Sequence, residues 1–275
     1  MTVIDYEAEY NNRAKVPEHP AILAQWAADA AAFRAAQPGA ELDLAYGPSA
    51  RQKLDLFVPP GDAGGRAPVA MFIHGGYWQG LDKSWVSHLA RGLVARGIAV
   101  AVPSYDLCPD VTLDAIVAQM RAAAAWLIAR RGAPLYAMGH SAGGHLAAML
   151  LATDWTAQGL PAGAVGGAYA LSGLFDLEPL VGTSINAKLG LDAAEARRLS
   201  PVHLPRPAGR IAAVVGGLEG PEYARQSEAI TAAWGGRAAI LPGRTHFDVV
   251  APLADQDSPM VGEVVAAIAA QAPPA

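Results

Sequence analysis

Six short apolar runs with little polar alternation mark the chain from residue 69 onward: Val69–Ile73, Ile98–Val102, Leu135–Met138, Ala168–Leu171, Ile211–Val215 and Ala238–Leu241. Runs of this kind suit strands buried on both faces, which is the situation of a parallel sheet covered by helices. Helical stripes lie between them, one through Trp85, Val86, Leu89, Leu93 and Val94, another through Ile116, Val117, Met120, Leu127 and Ile128. Thr112 is placed to cap the second helix and Gly132 to stop it. Strand and helix therefore alternate, and the expected fold is an α/β architecture with a mostly parallel central sheet flanked by helices. In such sheets, ligands bind beyond the carboxyl ends of the strands.

The segments outside this rhythm are equally specific. Glu41-Leu-Asp-Leu-Ala-Tyr46 and Lys53-Leu-Asp-Leu-Phe-Val58 alternate apolar with polar or small residues around the turn Gly47-Pro-Ser-Ala50, which predicts an antiparallel hairpin. A helix from about Ala21 to Ala36 forms an N-terminal arm within residues 1–40, and Phe175 to Pro207 break the alternation and are expected to form a small cap. With no linker and no internal repeat, residues 1–275 read as one domain. The uncharged stretch between Asp154 and Asp176 contains Gln158, Pro161, Ser172 and several glycines, so it reads as a loop feeding a buried strand and not as a membrane span.

Composition narrows the function. The formal net charge of −5 and the absence of a basic block argue against nucleic-acid binding. The single cysteine, Cys108, excludes an internal disulfide framework and a Cys-rich zinc site, and it fits a reducing compartment. The first ten residues carry acids and lack the basic flank and apolar stretch of a signal peptide, so a cytoplasmic location is expected. Neither H-E-x-x-H nor a Walker loop nor a dinucleotide fingerprint occurs, so no metal and no cofactor is expected. The expected partner is a small-molecule substrate, with no nucleic acid and no membrane, and a homodimer is left open.

Gly139-His-Ser-Ala-Gly143 follows the apolar run ending at Met138 and precedes the small-residue helix His145–Leu151. A nucleophile elbow needs this context: the strand turns sharply into a helix, glycines leave room for the strain, and the serine oxygen stands clear at the helix N-terminus. Ser141 is therefore the candidate nucleophile. Upstream, Met71-Phe-Ile-His-Gly-Gly-Tyr-Trp78 is a strand ending in a glycine loop, where backbone N–H groups can face an oxyanion. The amides of Gly76, Tyr77 and Ala142 are the candidate donors. Trp78 is the candidate substrate-binding residue, offering its face to an aromatic leaving group, with a core plug beneath the loop as the competing reading.

The base should follow the serine in the chain. His74 lies upstream and is expected to brace its loop, His145 sits on the elbow helix and His203 in the cap, whereas His246 occupies a loop after a strand end. His246 is the candidate base. For the acid, Glu219 comes directly after the run Ile211 to Val215 and the turn Gly216-Gly217. Glu222 competes as a first-turn helix acid after Pro221, and Asp248 is too near His246 in sequence to brace it easily. Cys108 has no elbow of its own and reads as packing.

The chain resembles the kynurenine formamidase (arylformamidase) branch of the α/β-hydrolases. The resemblance runs from Glu9-Tyr-Asn-Asn-Arg13 through His74-Gly-Gly-Tyr-Trp78, Pro103-Ser-Tyr-Asp106, Gly139-His-Ser-Ala-Gly-Gly-His145, Leu171-Ser-Gly-Leu-Phe-Asp176 and Thr183-Ser-Ile-Asn186 to Glu219-Gly-Pro-Glu-Tyr-Ala-Arg-Gln-Ser227 and Thr245-His-Phe247. It implies an α/β-hydrolase fold, a triad of Ser141, Glu219 and His246, and a cofactor-free hydrolase that removes formyl from an aromatic formamide such as N-formylkynurenine. In this family the acid is often Asp, and Glu219 is one methylene longer. A short-chain carboxylesterase is the alternative activity, and a catalytically inactive binding module the alternative class.

Overall fold

In the computed structural model, which describes residues 4–62 and 64–271, every one of the six apolar runs is a strand. The strands are β1 (Glu41–Ala45), β2 (Lys53–Phe57), β3 (Val69–Ile73), β4 (Ala99–Pro103), β5 (Leu135–His140), β6 (Val165–Leu171), β7 (Arg210–Gly216) and β8 (Gly236–Leu241). They form one sheet in the order β1-β2-β4-β3-β5-β6-β7-β8. The hairpin strands β1 and β2 pair antiparallel with each other, and β2 runs antiparallel to β4; the remaining pairs are parallel.

Strand period fixes the two cores, because successive side chains point to opposite faces. Val69, Met71 and Ile73 of β3 join one buried layer with α5 (Leu113–Arg131), α6 (Ala142–Leu151) and α9 (Pro221–Trp234). Ala70 and Phe72 join the other, with α3 (His19–Ala36), α4 (Arg91–Ala95) and α10 (Pro259–Ala269). The ends of α5 are as the sequence predicts: the Thr112 hydroxyl accepts from the Ala115 N–H, and Gly132 closes the helix at φ 61°.

The stripe from Trp85 to Val94 faces the second layer as expected, but its backbone is not one helix. It is two 3-10 turns, Lys83–Trp85 and Ser87–Ala90, followed by α4. Local polar bonds divert the backbone. The Asp82 carboxylate accepts from the Ser84 N–H, and the Ser87 hydroxyl donates to the Lys83 carbonyl at 2.7 Å. The Lys83 ammonium is itself anchored on buried Asp55 at 2.7 Å and on Asp43 at 2.8 Å.

Two segments cover the carboxyl edge of the sheet. The arm begins with α1 (Tyr6–Tyr10) and α2 (Asn12–Lys15), which precede α3. Between β6 and β7 lie α7 (Asn186–Leu189) and α8 (Ala193–Arg198), flanked by 3-10 turns, in the region expected to form a cap. Glu7 of the arm accepts from both the Ser184 N–H, at 2.7 Å, and the Ser184 hydroxyl, at 2.6 Å, joining the two segments. Among the described residues, no helix is long and apolar enough to cross a membrane.

Candidate active site

Ser141 sits between β5 and α6 at φ 56°, a left-handed conformation that a side chain rarely adopts. The sequence permits this because the residues two positions to either side, Gly139 and Gly143, have no Cβ. One on Gly143 would lie 2.0 Å from the Ile73 carbonyl oxygen, and one on Gly139 would lie 2.1 Å from the Gly143 oxygen. The elbow therefore packs backbone against backbone, and among the described residues no side-chain hydrogen bond holds the serine hydroxyl, which borders a cavity of about 360 Å³.

His246 borders the same cavity. Its Nδ1–H donates to Glu219 Oε2 at 2.6 Å, and both side chains are almost fully buried. The other carboxylate oxygen accepts from the Ser172 hydroxyl at 2.6 Å and from the Gly216 N–H at 2.5 Å. Glu219 is thus held on both oxygens, and with its longer side chain it still reaches His246. Among the described residues, the other ring nitrogen of His246 has no hydrogen-bond partner.

The rival groups have other partners. Glu222 accepts from the Tyr10 hydroxyl at 2.6 Å and pairs with Arg225. Asp248 accepts from the Thr245 N–H and hydroxyl within its own turn. His74 donates to the Gly75 carbonyl at 2.8 Å and lies parallel to Tyr105 at 4.2 Å, so it braces the loop as expected. His145 donates to the Leu199 carbonyl. Burial lowers both of these imidazoles to about 4, keeping them neutral at neutral pH. His140, buried beneath His246 and donating to its carbonyl at 2.8 Å, is also lowered well below the ordinary value, first by burial and then by the neighbouring imidazole. Burial raises the Cys108 thiol to about 11, in keeping with a packing role.

Gly76 and Tyr77 line the cavity, and Gly76, Tyr77 and Trp78 all have positive φ, at 101°, 50° and 57°. The loop is folded back on itself there, next to the elbow. Ala142 is the first residue of α6, so its N–H has no acceptor within the helix.

Trp78 is a correction. It is fully buried, edge-on to His145 at 5.1 Å, and does not line the cavity, so of the two expectations the core plug is the one observed. The aromatic wall is formed instead by Trp26 and Phe247, with Trp26 edge-on to His140. Trp26 lies on the arm helix, more than a hundred residues before the serine, where no local pattern ties it to the site. Ser172 was signalled only by its place in Leu171-Ser-Gly-Leu-Phe-Asp176.

This strand order, with a strained serine between β5 and α6, defines an α/β-hydrolase. A family model described as BD-FAE matches residues 54–161. The chain is 33% identical to a kynurenine formamidase of Salmo salar, over 78% of each chain, and 34% identical to one of Danio rerio, over 68% of this chain and 66% of that one. A solved structure from Silicibacter sp. TM1040, whose thioesterase designation is provisional, superposes with a TM-score of 0.88 at 36% identity, covering 96% of this chain and 100% of that chain. The chain belongs to the kynurenine formamidase family, and it is a hydrolase acting on amide or ester substrates.

Proposed function

We propose that the protein is a serine hydrolase that cleaves an aromatic N-formyl amide of the N-formylkynurenine type through a formyl-enzyme. The observation that carries this reading is the meeting of Ser141 and His246 on one cavity, with His246 tied at 2.6 Å to a buried carboxylate. Ser141 Oγ attacks the formyl carbon while His246 takes its proton, and the carbonyl electrons move onto an oxygen held by the Gly76, Tyr77 and Ala142 amides. Collapse breaks the C–N bond, and His246 returns the proton to the leaving arylamine. Water, deprotonated by His246, then releases formate and restores the serine.

Cavity chemistry supports the substrate class. Its volume of about 360 Å³ suits one aromatic ring with a small acyl group, and Trp26 and Phe247 supply an apolar wall. Arg13 of the arm and Lys188 of the cap line it, and among the described residues neither forms an ion pair. They match a substrate carrying a carboxylate. The test compares kcat/KM on carboxylated aryl formamides with that on p-nitrophenyl esters of increasing chain length. The formamide should be preferred, and ester rates should fall steeply from acetyl to octanoyl. Preference for long acyl chains would overturn the reading.

A further inference from the structure

A closed set of hydrogen bonds joins the arm to the glycine loop. The Tyr77 hydroxyl donates to the Tyr10 carbonyl at 2.7 Å and lies 2.9 Å from the Tyr223 hydroxyl. The Asn12 amide donates to Tyr77 at 3.2 Å and to Tyr223 at 2.7 Å. Proton accounting gives these bonds one direction. Tyr77 has a single O–H, which the Tyr10 carbonyl takes, so Tyr223 donates to Tyr77 and the two amide hydrogens of Asn12 serve the two phenols. Asn12 and Tyr223 are buried, and the Tyr223 ring lies 4.9 Å from that of His246.

Tyr77 needs such support. At φ 50° a tyrosine is strained, and a residue held in that region persists only where its surroundings over-determine it. Its side chain is fixed at the far end by three bonds, so the backbone at its near end, in the loop that lines the cavity, is fixed with it.

We infer that Asn12 is a positioning residue: through the Tyr77 hydroxyl it holds the strained Tyr77 backbone so that its amide points at the developing oxyanion, making the N-terminal arm part of the catalytic apparatus. This rests on the serine reading above. It assigns no proton transfer to Asn12 or to either phenol; their contribution is geometry, which matters most when the carbonyl oxygen gains charge.

The experiment uses the full chain with Tyr77→Phe, Asn12→Ala, the double variant, and Ser141→Ala in parallel. Each single variant should lower kcat by about 10- to 100-fold with KM within about threefold, and weaken a tetrahedral arylboronic acid by a similar factor. Because both act through one network, the double variant should fall little further than the worse single. Thermal unfolding of each variant reports folding separately. Variants with lowered melting temperature but wild-type kcat and boronate affinity would overturn the inference and leave the serine reading standing. Multiplicative losses in the double variant would also overturn it. A Ser141→Ala protein with full activity would overturn both.

Discussion

On the side of the cavity formed by the elbow, backbone geometry sets the positions: Gly143 packs where any Cβ would be 2.0 Å from a carbonyl oxygen, and Glu219 is locked by a hydroxyl and an amide. On the opposite side, Glu7, Arg13, Ser184 and Lys188 are exposed, and the exposed Glu7 carboxylate joins the arm to the cap by accepting from the Ser184 N–H and hydroxyl. The first arrangement suits chemistry, where displacements of an ångström cost orders of magnitude in rate. The second suits recognition, where single exposed contacts are worth little each and act on binding. Substitutions on the elbow side should therefore lower kcat, and those on the outer side should raise KM.

The largest effect is expected at the nucleophile. Ser141→Ala should lower kcat by roughly 10⁴ to 10⁶ with folding intact, since in serine triads loss of the nucleophile costs nearly as much as loss of the triad. Steady-state kinetics with a circular dichroism spectrum check this, and retained hydrolysis would remove the distinction between the two sides.

Two glutamates three positions apart sharpen it further. Glu219→Gln keeps the shape but removes the charge that orients His246, and kcat should fall on the order of 10³ to 10⁴. Glu222→Gln should leave kcat within about threefold, and its effect should appear in urea unfolding as about 1 to 2 kcal/mol, from weakened bonds to Tyr10 and Arg225. The reverse pattern would move the acid to Glu222.

On the outer side, Arg13→Ala and Lys188→Ala should each raise KM for a carboxylated aryl formamide by about 3- to 10-fold at unchanged kcat. A neutral aryl ester should be unaffected. Equal losses on both substrates would contradict carboxylate recognition.

The smallest effect is on stability against pH. His74 and His145, both fully buried, are lowered from 6.5 to about 4, so between these values the unfolded chain binds more protons than the folded one. Their contribution is intact above about pH 6.5 and is lost as pH falls toward 4. The urea midpoint should drop between pH 7 and pH 5; a flat profile would show that these rings accept protons in the folded state.

Legibility followed the range of the physics involved. The strands, the Thr112 and Gly132 caps, and the turn into Ser141 are local, set by patterns within a few residues, and all are readable in the sequence. The pairing of Glu219 with His246 spans 27 residues yet follows from chain order and strand-end position. The bond from Asn12 to Tyr223 spans 211 residues, and nothing near either residue announces it. Trp78 shows the same limit: residue type alone does not reveal which side of the loop an indole takes. The broken helix before Val94 goes with local side-chain bonds at Asp82, Ser84 and Ser87, which hydrophobic periodicity does not register.

The central claim, a serine activated by His246 and Glu219, is tested most directly by treating the protein with an aryl fluorophosphonate and locating the adduct by mass spectrometry. A single phosphonyl group should form on Ser141, vanish in Ser141→Ala, and form far more slowly in His246→Ala and Glu219→Gln. Modification of a different residue, or labelling of Ser141 at the same rate with His246 removed, would contradict the account.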